Sequence, residues 1–197
     1  MKRLIVGISG ASGTIYGVRL LEVLKEVVDI ETHLVMSNAA KRTLLLETDY
    51  TVKYVEGLAD KLYGFGDIAA SIASGSFRTM GMVVAPCAMK TLSGIVHSYS
   101  DNLLLRAADV VLKDRRKLVL VPRETPLHLG HARLMVQAIE IGAIMMPPMP
   151  AFYHRPQSVA DIVDQTVNRI LDLFEIELDK DLFQRWQGPR PDKSGGS

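Results

Sequence analysis

The sequence predicts an α/β protein, a single domain in which a parallel sheet carries helices on both faces. Three observations lead there. Short apolar, β-branched runs alternate with longer segments whose apolar residues recur at helical spacing. The short runs are apolar throughout, as strands covered on both faces are. After each run comes a loop rich in Gly, Ser, Pro or charge, the composition of turns at the rim of a sheet.

The strand candidates are residues 4–8, 32–36, 82–85, 118–121 and 143–146. Helical candidates fall near 14–27, 38–46, 90–96, 101–113, 131–141 and 158–174. In the last of these, Val159, Ile162, Val163, Thr166, Val167, Ile170, Leu171 and Phe174 form one apolar stripe. Ser158 is its expected N-cap, with Asp161 three residues on. Residues 188–197 are polar and rich in Gly, Pro and Ser, and are expected to be a disordered or vector-derived tail behind a domain of residues 1–187.

Bulk properties narrow the function. The chain has 197 residues, 48% of them hydrophobic, enough for one core. Its 23 basic and 22 acidic residues leave a formal charge of +1, which gives no electrostatic case for nucleic acid or an anionic membrane. A single cysteine, Cys87, rules out an intrachain disulfide framework and suits a reducing cytoplasm. No stretch approaches the ~18 apolar residues of a membrane span.

Residues 7–17, GISGASGTIYG, place four glycines across the junction of the first strand and the first helix. Their spacing is neither the dinucleotide fingerprint G-x-G-x-x-G nor a Walker loop. What remains is a turn into a helix N-terminus, which either packs tightly or receives a phosphate. In open parallel sheets ligands sit beyond the carboxyl ends of the strands. There the sequence gathers 10–13, 37–40, 86–91, 122–126 and 147–156 on one rim. The five histidines, at 33, 97, 128, 131 and 154, fall into no usual zinc spacing.

The motifs GASG, YGVRLL, LETD, PCAMKTLSGI, RAADVVLK, LVLVPRETP, PPMPAFYHRPQS and RWQG occur together and in this order. Over residues 2–188 the chain closely resembles the flavin prenyltransferase (UbiX-like) family. The resemblance implies a flavodoxin-like, Rossmann-like subunit in a homo-oligomer, expected to be a dodecamer, with each site at a subunit junction. It implies transfer of a dimethylallyl group from dimethylallyl phosphate to N5 and C6 of reduced FMN, without a metal. The prenylated FMN would serve a UbiD-type decarboxylase, in ubiquinone synthesis or phenolic-acid breakdown.

The same resemblance assigns residues. Gly10, Ala11, Ser12, Ser37, Ala88, Met89, Lys90, Thr91, Arg106 and Arg123 would hold the flavin. Lys113, Arg123, Glu124, Tyr153 and Arg169 would hold the prenyl phosphate. Glu47, Ser12, Glu124 and Trp186 would act in the chemistry, with Glu47 as the acid–base group. Glu124 is expected to pair with Lys113 or Arg169, because a bare carboxylate repels phosphate. The family usually has Ser where this chain has Ala88. Plain structural readings stand beside these: Ser37 as a helix cap, Arg106–Asp109–Lys113 as an intrahelical ion ladder, Arg169 as a snorkelling side chain, Trp186 as a C-terminal anchor. Two other activities fit the fold: an FMN-dependent decarboxylase of the cysteine-decarboxylase type, and a carrier that only binds FMN.

Overall fold

Strand β1 (Lys2–Ile8) lies at the centre of a six-stranded, all-parallel sheet. The chain steps outward from it through β2 (Ile30–Met36) to a short edge strand β3 (Lys61–Tyr63). It then returns to the other side of β1 and steps out through β4 (Gly81–Cys87), β5 (Lys117–Pro122) and β6 (Ile144–Met145). The order is therefore β3-β2-β1-β4-β5-β6, with its direction reversing between β1 and β4. Counted in full this is the dinucleotide-binding order; without the edge strand β3 it is the flavodoxin order. In this computed structural model residues 1–188 are described; the expected tail, apart from Gly188, lies outside the described residues.

Strand periodicity assigns each side chain to a layer. Leu4, Val6 and Ile8 of β1 pack with α1 (Thr14–Lys25) and α7 (Val159–Leu173), through Leu20, Leu21, Leu24, Val167 and Ile170. Ile5 points the other way, into a second layer with α4 (Met89–Val96) and α5 (Leu103–Lys113), where Leu92, Ile95, Leu104 and Val111 are buried. Both faces of the sheet are dry, which explains runs that are apolar at every position.

All five expected strands are present. The sequence reading missed three small elements: β3, the five-residue helix α3 (Val52–Glu56) and a 3₁₀ turn at Ser71–Ala73. None of them is long enough to display a period.

Five helices start on a side-chain cap. Ser37 opens α2 (Asn38–Glu47), Thr51 opens α3, Asn102 opens α5 and His128 opens α6 (Leu129–Glu140). Ser158 opens α7 in a full capping box with Asp161. The two helices without a cap on their own N-cap residue are α1 and α4. They flank the point where the strand order reverses.

Candidate functional site

A cavity of about 900 Å³ opens at that reversal point. Its wall is built from Gly10 after β1, from Ser37, Asn38, Ala39 and Arg42 of α2, and from Phe65 and Gly66 after β3. Ala88, Lys90 and Thr91 at the start of α4 and Asn102, Leu104 and Leu105 of α5 complete it. Gly10 is needed here because a β-carbon at that position would overlap the Ala39 side chain. Gly13 is needed for a different reason: its φ of +98° is the left-handed turn into α1. The glycines of the opening motif therefore serve tight packing and turning as well as an open wall.

The helix N-terminus expected to await a phosphate already holds an anion. Glu47, at the last turn of α2, accepts hydrogen bonds from the Gly13 amide at 3.0 Å, the Thr14 amide at 3.3 Å and the Thr14 hydroxyl at 3.2 Å. Desolvation pushes the Glu47 carboxyl upward. The Ser12 hydroxyl and the Gly13 and Thr14 donors outweigh that effect and hold it below the ordinary carboxylate range. Glu47 thus caps α1 from 34 residues away and carries the Ser12 hydroxyl.

The other uncapped helix faces the cavity directly. Ala88 opens α4 with no side-chain acceptor, so the first-turn N–H groups of α4 have no intrahelical partner. Ser37 does cap α2, accepting from the Ala40 amide at 3.0 Å, and it also lines the cavity.

Five residues of the expected flavin set meet at this wall: Gly10, Ser37, Ala88, Lys90 and Thr91. Met89 is turned away into the core, and Ala11 is buried beside the wall. Arg123 lies in the loop after β5, where its amide donates to the Cys87 carbonyl at 3.3 Å, so it sits against the turn at residues 86–88. Arg106 lies elsewhere within the protomer. Its guanidinium holds Asp109 at 2.8 Å and the Ala73 carbonyl at 3.2 Å.

The prenyl-phosphate set does not assemble within one chain. Lys113 pairs with Asp114 at 2.7 Å, so the expected ladder stops at Arg106–Asp109. Glu124 accepts from the Thr125 amide at 3.1 Å, and Arg169 pairs with Asp172 at 2.8 Å. The expected ion pair of Glu124 with Lys113 or Arg169 is therefore absent. For Lys113 the reason is topological. It ends α5 and leads into the amino end of β5, whereas Glu124 follows the carboxyl end, about 20 Å away along six residues of strand.

Tyr153 and Trp186 do come together. Their rings pack edge to face at 5.9 Å, with Phe183 at 6.4 Å from Tyr153. The segment carrying Trp186 is fastened to α7 by Arg185, which grips Asp172 at 2.8 and 2.9 Å and Asp181 at 2.6 Å. Hydrogen bonds from Arg185 hold the Asp172 carboxyl below its ordinary range. Trp186 is 62% exposed, an aromatic face turned outward at the domain's end.

Sequence reasoning placed Asn38 and Ala39 on the rim with Ser37 but missed Arg42, further along α2, and Phe65 and Gly66, which follow the unrecognised β3. It also gave no role to Ser9. That side chain is 1% exposed and ties the loop after β1 to the loop after β4, donating to the Pro86 carbonyl at 2.9 Å and accepting from the Ala88 amide at 2.7 Å. Among the described residues no group of three or more His, Cys, Asp or Glu side chains is arranged to hold a metal ion.

A model of the Flavoprotein family matches residues 1–171. The flavin prenyltransferase UbiX of Escherichia coli is 71% identical over 188 residues, covering 95% of this chain and all of that protein. The chain belongs to the flavin prenyltransferase family. Its fold superposes on AnUbiX, solved in complex with FMN and dimethylallyl pyrophosphate, with a TM-score of 0.92 at 47% identity, covering 96% of this chain and 99% of that one. A second solved structure, a dodecameric FMN-dependent UbiX-like decarboxylase from Escherichia coli, gives a TM-score of 0.90 at 53% identity, covering 95% and 100%.

In this flavin prenyltransferase family member, Ala88 leaves the N-terminus of α4 without a side-chain cap. Ala88→Ser is expected to supply the missing cap, since a serine at the N-cap accepts from an amide of the first turn. The gain should be about 1 kcal/mol, or roughly 2–4 °C in melting temperature for a chain of this size. Calorimetry of the flavin-free protein checks it. An unchanged melting temperature would show that the first-turn amides are already satisfied.

Proposed function

We propose that this chain transfers the dimethylallyl group of dimethylallyl phosphate to N5 and C6 of reduced FMN, closing a fourth ring. The observation that carries the reading is the cavity at the strand-order reversal, with Glu47 hydrogen-bonded to Ser12, two residues along the chain from Gly10 of its wall. Small residues on the wall let a flat ring approach the backbone, and the bare start of α4 with Lys90 favours an anionic ligand.

The reaction breaks the allylic C–O bond, its electron pair leaving on phosphate, as N5 bonds to C1 of the prenyl fragment. A proton then adds to the prenyl C2, opening the double bond, and C6 bonds to the tertiary C3. Positive charge spreads over the prenyl fragment as the phosphate departs. Arg169 and Tyr153 bind the phosphate, Arg169 as a planar two-point donor. The Trp186 ring offers its face to the allylic cation. Of the two protons lost from N5 and C6, one is returned to the prenyl C2 and the other leaves with the phosphate, and the Glu47 carboxylate with its Ser12 hydroxyl supplies the relay.

Lys113 and Glu124 act on the donor, and Arg106 on the flavin, across a subunit junction, since Arg106 and Lys113 lie off the rim of their own protomer. Exposed Leu129, Val136 and Ile139 on α6, with Met149 and Phe152 nearby, give an apolar surface suited to another copy of the chain. The assembly is a homo-oligomer, taken here as a dodecamer. No helix among the described residues is long and apolar enough to cross a membrane, and the buried lone thiol suits a reducing cytoplasm. A UbiD-type decarboxylase receives the product.

Reduced FMN and dimethylallyl phosphate, incubated with the protein and then reoxidised, are expected to give a flavin with an altered spectrum and added prenyl mass. Recovery of ordinary FMN alone, as from a carrier or a decarboxylase, would overturn the proposal.

A further inference from the structure

We propose that Ser9 is the positioning residue of the flavin loop, its hydroxyl fixing the point from which α4 meets the flavin. The inference rests on reading the cavity as an FMN site. Ser9 is 1% exposed, so bulk water does not serve its hydroxyl. The single hydroxyl proton goes to the Pro86 carbonyl at 2.9 Å, and a lone pair takes the Ala88 amide at 2.7 Å. The Ser9 amide also donates to the Pro86 carbonyl, at 3.2 Å. One residue of β1's trailing loop therefore holds both ends of the 86–88 turn.

The end it holds is the functional one. Ala88 is where α4 begins, its carbonyl accepting from the Leu92 amide at 2.9 Å. The Ala88 methyl cannot cap the helix, so no side chain at the N-cap itself locates the first turn. Ala88, Lys90 and Thr91 line the cavity, and Ser9 does not. Ser9 thus acts on the ligand only through Ala88, by aiming the first-turn donors of α4. Without the hydroxyl, the buried Pro86 carbonyl loses one partner and the half-buried Ala88 amide loses its short hydrogen bond, and the turn relaxes to recover them.

The test compares wild type, Ser9→Ala and Ser9→Thr by FMN titration, visible-region circular dichroism of the bound flavin, and thermal unfolding without flavin. Ser9→Ala is expected to raise the FMN dissociation constant about tenfold and to change the flavin dichroism. Ser9→Thr, which keeps the hydroxyl, should restore both. A merely structural role would lower the melting temperature of Ser9→Ala and leave affinity and dichroism as in wild type, which overturns the inference. A Thr variant no better than the Ala variant overturns it as well. Should Ser9→Ala fail to fold, Ser9→Cys takes its place with the same expectation, because a thiol is a poor partner for both groups. Wild-type protein that binds no FMN would sink the reading of the cavity itself, a result separate from unchanged affinity in the variants.

Discussion

Glu47→Gln is expected to slow closure of the fourth ring by about 10²–10⁴-fold while FMN stays bound. The amide keeps the size of the side chain and one acceptor for the start of α1, and it removes the charge and the proton acceptor. Glu47 does not line the cavity, so flavin affinity should hold. Single-turnover rates of ring closure decide the matter, and an unchanged rate would exclude the role. The carboxylate is anionic at neutral pH because the donors of Ser12, Gly13 and Thr14 outweigh desolvation. Its value in catalysis is then a fixed negative charge beside the developing cation and a relay through Ser12, more than strong basicity. Folding depresses this pKa, so its contribution to stability is present above the ordinary 4.5 and is lost as pH falls through the folded value. The Gln variant should therefore lose part of its stability deficit in acid.

Arg169→Ala should raise the apparent KM for dimethylallyl phosphate about 10- to 100-fold, the worth of a charged hydrogen-bonding partner, and leave FMN affinity unchanged. The structure makes this a clean deletion. Asp172, the partner of Arg169, stays neutralised because Arg185 holds both of its oxygens. The C-terminal segment with Trp186 should therefore remain in place. The flavin wall is formed by α2, α4 and α5, whereas Arg169 stands on α7. Titrations that showed FMN and donor affinity falling together would mean that the two anions do not occupy separate cradles.

The sheet was legible in the sequence because its strands are buried on both faces. Runs such as 4–8 and 82–85 are apolar at every residue, and the loops behind them collect on one rim by topology alone. Caps such as Ser158 with Asp161 were equally plain, since they are local. The edge strand β3 was not, because three residues with Leu62 half exposed carry no pattern. With β3 went Phe65 and Gly66 of the wall. Glu47 was found by resemblance, but its cap on α1 is a contact 34 residues long that spacing could not reveal. The expected pairing of Lys113 with Glu124 failed because a helix face says which residues are neighbours and nothing about which end of the sheet they reach. Ser9 was invisible for a related reason: a small hydroxyl gains its meaning from a turn 77 residues away.

The flavin loop also contains the chain's only thiol. Cys87 has no exposed surface, and burial pushes its pKa up to about 12. Burial therefore keeps the thiolate, the form that alkylating dyes attack, scarce at neutral pH. For labelling work the native chain behaves as if it contained no cysteine. A fluorophore placed through a new cysteine on the outer side of α6 would report from that position alone, so copies of the chain can be followed as they gather without altering the flavin loop.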